Sequence, residues 1–221
     1  MTNSKLSINK IFTIRNIIFY SSFIYCLITF SINITLLFKN IYYFDIKFLN
    51  LENLSSLSYE QLKHNYNYLI NFLYSTTYNF KMPYFISSQE GTTHFFEVRN
   101  VIQNMNLGMF IFLPITIYNF AKKYKQKEFK FIRNFSVISL IIPFVLTIPI
   151  LINFNFTFKI FHKILFNNNY WLFDPIKDPV INVLPETFFF HEGIFILSIF
   201  LLYSLLFFMI YSMSLKKNQK K

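Results

Sequence analysis

Four apolar stretches, at residues 16–38, 105–121, 135–152 and 193–215, constrain what this chain can fold into more than any other feature. Each holds about 17–23 residues, and a helix needs about 20 to cross a hydrocarbon core roughly 30 Å thick. Inside that core a backbone must satisfy its own hydrogen bonds, so each stretch is predicted to be a spanning helix. Pro114, Pro143 and Pro149 fall inside spans. Spanning helices tolerate proline where neighbours re-satisfy the freed carbonyl, and kinks are expected there. The expected fold class is an all-α membrane protein of four transmembrane helices, with a small extracytoplasmic cap made from the two outer segments.

Charge placement sets the expected orientation. The chain has a formal net charge of +11, yet only 14% of its residues are charged. Lys5, Lys10 and Arg15 precede the first span; Lys122, Lys123, Lys125, Lys127, Lys130 and Arg133 lie between spans two and three; Lys216, Lys217, Lys220 and Lys221 close the chain. Glu128 alone opposes them. Four spans put these three segments on one side, and the excess of Lys and Arg marks that side as cytoplasmic. Residues 1–15, 122–134 and 216–221 are thus expected inside, and residues 39–104 and 153–192 outside. The basic excess is a topology signal, which removes the argument for a nucleic-acid partner. The first stretch is expected to be a retained anchor, being too long for a signal-peptide core and lacking a small-x-small cleavage site.

The outer segments are too long to be simple connectors. In the first, Ser58-Tyr59-Glu60-Gln61 has the pattern of a capping box, and Leu62, Tyr66, Leu69, Ile70 and Leu73 recur at helical spacing. An amphipathic helix over 59–74 is predicted, lying on the membrane or beneath other cap elements. A second helix is predicted to start near Thr92 or Thr93 and run through Asn100 toward span two. In the second outer segment, 157–166 is apolar with Lys159, His162 and Lys163 inserted, and Asn167-Asn168-Asn169 reads as a turn. Asp178-Pro179 reads as a helix start with Asp178 as cap, and Pro185-Glu186 as another leading into span four.

Candidate chemistry lies outside the spans. Cys26, the single cysteine, sits in the first apolar stretch, where burial leaves little reactive thiolate. Only three glycines are present, so a phosphate-cradling loop is excluded, and no Gly-x-Ser-x-Gly nucleophile motif occurs. All four histidines, His64, His94, His162 and His191, fall in the outer segments. His94 precedes Glu97 by three residues, and His162 is set in an apolar run. With no nucleophile in view, acyl chemistry would require one from the substrate, with histidine as base. A metal reading would combine His94, His162 and His191 with Glu90, Glu97, Glu186 or Glu192. No H-E-x-x-H spacing supports it, and neighbours His191 and Glu192 would point about 100° apart on a helix. No metal or other cofactor is expected.

Three stretches resemble the lipoprotein intramolecular transacylases: Leu57-Ser58-Tyr59-Glu60-Gln61-Leu62 with Asn65-Tyr66 and Tyr68-Leu69; His94 with Val98-Arg99; and the run from Phe161-His162-Lys163 through Tyr170-Trp171-Leu172-Phe173-Asp174-Pro175 and Asp178-Pro179-Val180-Ile181 to Leu184-Pro185-Glu186-Thr187-Phe188-Phe189. Glu97 and Asn169 depart from the family pattern, which tends to Asp at both. The resemblance implies an acyltransferase of the bacterial cytoplasmic membrane, acting at the extracytoplasmic boundary. The implied partner is a diacylglyceryl-modified lipoprotein with a free N-terminal cysteine amine, within membrane lipid. The implied reaction moves the sn-2 acyl chain to that amine, giving an N-acyl S-monoacylglyceryl product. His94 and His162 are the implied catalytic pair, one as base and the other stabilising the oxyanion or protonating the leaving alkoxide. Glu97, Arg99, Phe161, Tyr170, Trp171, Asp174, Asp178 and Glu186 are the candidate supporting or substrate-binding residues. This requires the two imidazoles to converge in one pocket. The alternatives are a non-catalytic membrane accessory protein or a metal-dependent membrane hydrolase.

Overall fold

The computed structural model describes the backbone of residues 14–219 and the side chains of 16–216. Lys5, Lys10, Lys220 and Lys221, and the side chains of Arg15 and Lys217, lie outside the described residues. The described residues form α1 (Ile14–Leu37), α2 (Asn40–Phe48), α3 (Leu51–Ser55), α4 (Tyr59–Leu73), α5 (Gln89–Lys125), α6 (Phe129–Ile152), α7 (Phe154–Leu165), a 3-10 turn (Pro179–Asn182) and α8 (Glu186–Gln219), with no strand among them. Four helices, α1, α5, α6 and α8, are long and apolar enough to cross a membrane.

The residues cluster into two units. One comprises residues 1–32, 107–147 and 196–221. Among its described residues, Phe19, Tyr20, Phe23 and Leu27 of α1 pack with Phe131, Ile132 and Phe135 of α6 and with Phe200 of α8. Its outer surface is apolar: Phe110 is 79% and Met213 66% exposed, as side chains facing hydrocarbon should be. Pro143 lacks the N–H that would bond the Ser139 carbonyl one turn earlier. That carbonyl instead accepts a hydrogen bond from the Ser204 hydroxyl of α8 at 3.0 Å, so a neighbouring helix restores the lost bond.

The other unit comprises residues 33–106 and 148–195 and has its own core. Helix α4 lies at its centre, burying Leu62, Tyr66, Leu69, Ile70 and Leu73, the residues of the helical stripe. Its capping box is formed: the Ser58 hydroxyl accepts from the Gln61 N–H, and the Gln61 side chain accepts from the Ser58 N–H. Tyr42 stacks on Tyr66 with ring centres 4.1 Å apart, and Phe188 meets both edge-on. Aromatic area on this scale dominates the energetics of such a core.

Two sequence expectations are corrected here. Helix α5 starts at Gln89, ahead of the Thr92–Thr93 start, and runs without a break into the apolar stretch. Ser88 is the reason: its hydroxyl accepts the Gly91 N–H at 2.9 Å, as an N-cap does. Asp178, expected to cap its own helix, makes no such bond there. Its carboxylate instead accepts the Ser88 N–H and the Ser88 hydroxyl, both at 2.7 Å, and so holds the cap of α5. A Cβ at position 91 would lie 2.2 Å from Asp178 Oδ1, so any residue other than glycine there requires Asp178 to move.

Candidate active site

His94 lies near the start of α5, ahead of the apolar stretch at 105–121, and His162 lies near the end of the short amphipathic helix α7. The fold brings their rings to 5.9 Å between centres, although 68 positions separate them in the chain. Both are buried, at 5% and 9% exposed. Aromatic rings wall the pair. Phe166 meets His94 edge-on at 4.8 Å and His162 at 5.8 Å; Phe173 meets His94 at 5.6 Å; Phe158 lies 4.0 Å from His162. Trp171 stacks on His162 at 4.8 Å and 30°.

Each imidazole has a distinct group behind it. His162 Nδ1 lies 2.8 Å from the Phe158 carbonyl one turn earlier. A carbonyl only accepts, so Nδ1 carries the proton and the neutral ring presents its lone pair at Nε2. His94 Nδ1 faces Glu97 Oε2 at 3.8 Å, and both atoms are buried without a hydrogen-bond partner. The other Glu97 oxygen accepts from the Asn168 side-chain amide at 2.6 Å. Burial pushes His94 down to about 4, and the nearby His162 pushes the same way. Burial also lowers His162, against the opposing pull of the Phe158 carbonyl. Both rings are therefore neutral near pH 7 and available as bases, and the pair disfavours holding two protons at once.

The other candidate residues divide by contact. Glu97 and Trp171 touch the pair, and Phe161, 55% exposed, meets His162 edge-on at 5.6 Å. Tyr170, 41% exposed, donates its N–H to the Asn168 side chain. Arg99, Asp174, Asp178 and Glu186 are engaged elsewhere. The Arg99 guanidinium donates to the Thr77 carbonyl and sits over the Phe72 and Phe96 rings, at 4.8 and 4.6 Å. Asp174 closes a turn by accepting the Ile176 N–H at 2.8 Å. Asp178 caps α5 as described, and Glu186 accepts from Asn155 at 2.6 Å. His191, a third ligand in the metal reading, is bonded instead to the fully buried Asp45 carboxylate at 2.8 Å. Among the described residues no group of three or more His, Cys, Asp and Glu side chains is arranged to hold a metal ion.

Phe158, Phe166, Phe173 and Asn168 contribute to the site without having been singled out in the sequence. The chain has 32 phenylalanines, so aromatic content gave no contrast. For Asn168 the signal was its place in the Asn167-Asn168-Asn169 turn, directly after the helix bearing His162.

The fold and site define an all-helical integral membrane enzyme with a buried imidazole pair suited to moving protons. The family model described as "Lipoprotein intramolecular transacylase Lit" matches residues 17–189, and the chain belongs to that family, which makes it an acyltransferase. The structure is similar to the in meso structure of the membrane integral lipoprotein intramolecular transacylase Lit from Bacillus cereus, with a TM-score of 0.88 and 34% identity over 93% of this chain and 96% of that one. Two variants of the same protein, with one histidine replaced by arginine or by alanine, match with TM-scores of 0.81 and 33% identity, over 92% and 93% of this chain and 92% and 94% of theirs. No curated protein sequence matches the chain.

Proposed function

We propose that this transacylase moves the sn-2 acyl chain of an S-diacylglyceryl cysteine to the α-amino group of the same cysteine, with His94 and His162 as its acid–base pair. The observation that carries the reading is the buried pair of rings 5.9 Å apart. The reaction requires one proton to leave nitrogen and one to reach oxygen, and two imidazoles that disfavour a second charge suit that balance. His94, with the Glu97 carboxylate behind it, takes the proton as the amine attacks the ester carbonyl; a base oriented by a third group is a recurring arrangement. The tetrahedral intermediate collapses by breaking the bond to the glycerol oxygen. His162, its Nδ1–H held by the Phe158 carbonyl, accepts at Nε2 the proton that His94 has taken and delivers it from that nitrogen to the leaving oxygen, so both rings end neutral.

The amine has an ordinary pKa near 8, so about a tenth of it is neutral at pH 7 without help, and the proton passes to His94 only as bonding to the carbonyl makes the nitrogen acidic. Nucleophile and ester belong to one molecule, and positioning within a molecule lowers a barrier by about 7–11 kcal/mol. The protein contributes an apolar, ring-walled enclosure in which the pair is strengthened by exclusion of water. The charge distribution supports cytoplasmic termini in the bacterial cytoplasmic membrane, with segments 39–104 and 153–192 on the extracytoplasmic side.

The test is mass spectrometry of the N-terminal peptide of a diacylglyceryl lipoprotein incubated with the protein in membranes. The N-acyl S-monoacylglyceryl form is expected with the native chain and lost with His94→Ala or His162→Ala, at unchanged membrane abundance. Full product from either variant would reject the assignment.

A further inference from the structure

Asn168 touches neither imidazole, yet three of its polar atoms reach groups that do or that continue toward them. Its side-chain amide donates to Glu97 Oε1 at 2.6 Å. Its side-chain oxygen accepts the Tyr170 N–H at 3.0 Å, which closes the turn after α7. Its backbone carbonyl accepts the Trp171 indole N–H at 3.1 Å, and the Trp171 ring lies stacked on His162.

The consequence for Glu97 is geometric. With Oε1 held by Asn168, rotation of the carboxylate is restricted, and Oε2 is the oxygen left facing His94 Nδ1 at 3.8 Å. Both of these atoms are buried without another partner, so neither has a competing bond that would hold it in place. The titratable groups in contact with His94 are Glu97 on its own helix and His162 on α7.

We infer that Asn168 is a positioning residue for the acyl shift, setting Glu97 behind His94 from one side chain while its backbone holds Trp171 against His162. This rests on the assignment of the two histidines as the acid–base pair. The side-chain link spans 71 positions and joins the outer segment bearing His94 to the one bearing His162. Substrate would thus meet both rings already oriented. Small misplacements of a catalytic group cost on the order of 100-fold in rate.

The test uses the full chain in membranes and a diacylglyceryl lipopeptide. Asn168→Ser retains a hydroxyl able to close the local turn but is too short to reach Glu97. It is expected to lower kcat about 10- to 100-fold, with membrane abundance unchanged. A double-mutant cycle then separates positioning from packing. If Asn168 acts through Glu97, the variant Asn168→Ser/Glu97→Gln is no slower than Glu97→Gln alone, and the acid limb of the pH profile moves equally in both. Multiplicative losses, or a native rate and pH profile in Asn168→Ser, overturn the inference. Should Asn168→Ser fail to accumulate, Asn168→Asp serves: it replaces the amide donor with a carboxylate facing Glu97, so a native rate and pH profile overturn the inference and a slowed reaction with a shifted acid limb sustains it. His94→Ala is run alongside. Activity in that variant rejects the histidine assignment itself, whereas an inactive His94→Ala with an additive cycle leaves the assignment standing and removes only the role of Asn168.

Discussion

Gly91→Ala is expected to destabilise this protein, and to stop doing so when Asp178 is also removed. An added Cβ would lie 2.2 Å from Asp178 Oδ1 and 2.8 Å from its Cγ. Asp178 must rotate away, and rotation breaks its two 2.7 Å bonds to the Ser88 N–H and hydroxyl. Hydrogen bonds to charged groups contribute about 1.5–3 kcal/mol each, and a frayed N-cap costs about 1 kcal/mol, so a net loss of about 2–4 kcal/mol is expected after partial re-solvation. In an Asp178→Ala background the clash is gone. Alanine is then the better helix former by up to about 1 kcal/mol, so the same substitution becomes neutral or stabilising. The assay is a thermal unfolding cycle of the four proteins in one detergent, with hydrogen exchange at 89–93 to localise the effect. An equal cost of Gly91→Ala in both backgrounds would refute the reasoning, because it would mean that the penalty does not arise from Asp178.

Three further outcomes follow from the site and its surroundings. Activity should rise with pH as His94 loses its proton; since burial pushes His94 down to about 4, the acid limb of the kcat profile should lie clearly below the ordinary histidine value of 6.5, and a midpoint at or above 6.5 would contradict a buried base. Trp171 is the single tryptophan and stacks on His162, and an imidazolium quenches indole emission, so a fluorescence titration should show quenching on acidification with a midpoint below 6.5, and none in His162→Ala. His191→Ala strands the fully buried Asp45 carboxylate and should cost about 3 kcal/mol in unfolding, whereas Asp45→Asn, which leaves a partly exposed ring, should cost less; equal costs would show that burial of the carboxylate does not set the energy.

Local signals were readable in the chain and long-range ones were not. Four stretches of spanning length, the Ser58–Gln61 capping box and the α4 stripe each depend on residues within a few turns of one another, where periodicity and capping chemistry act. The start of α5 lies at a local cap, Ser88, one turn ahead of the expected Thr92–Thr93, whereas the carboxylate that holds this cap is 90 positions away, where no local pattern reveals it. The same distance hid the true role of Asp178, whose position before Pro179 suits a local cap. For Arg99, proximity to His94 in sequence was misleading: five residues on a helix turn through about 500°, which points the guanidinium away toward the Thr77 carbonyl. The ring walls from Phe158, Phe166 and Phe173 had no contrast in a chain so rich in phenylalanine.

The bond from Ser88 to Asp178 also imposes an order on biosynthesis. When the ribosome has delivered the first two spanning segments, the helix bearing His94 has its serine cap but not the carboxylate that secures it. That carboxylate lies beyond the third apolar stretch in sequence and so joins the chain only after that stretch has been made. A nascent chain halted before residue 178 would therefore carry α5 with its serine cap unsecured, although every ring that walls the two imidazoles is already part of it.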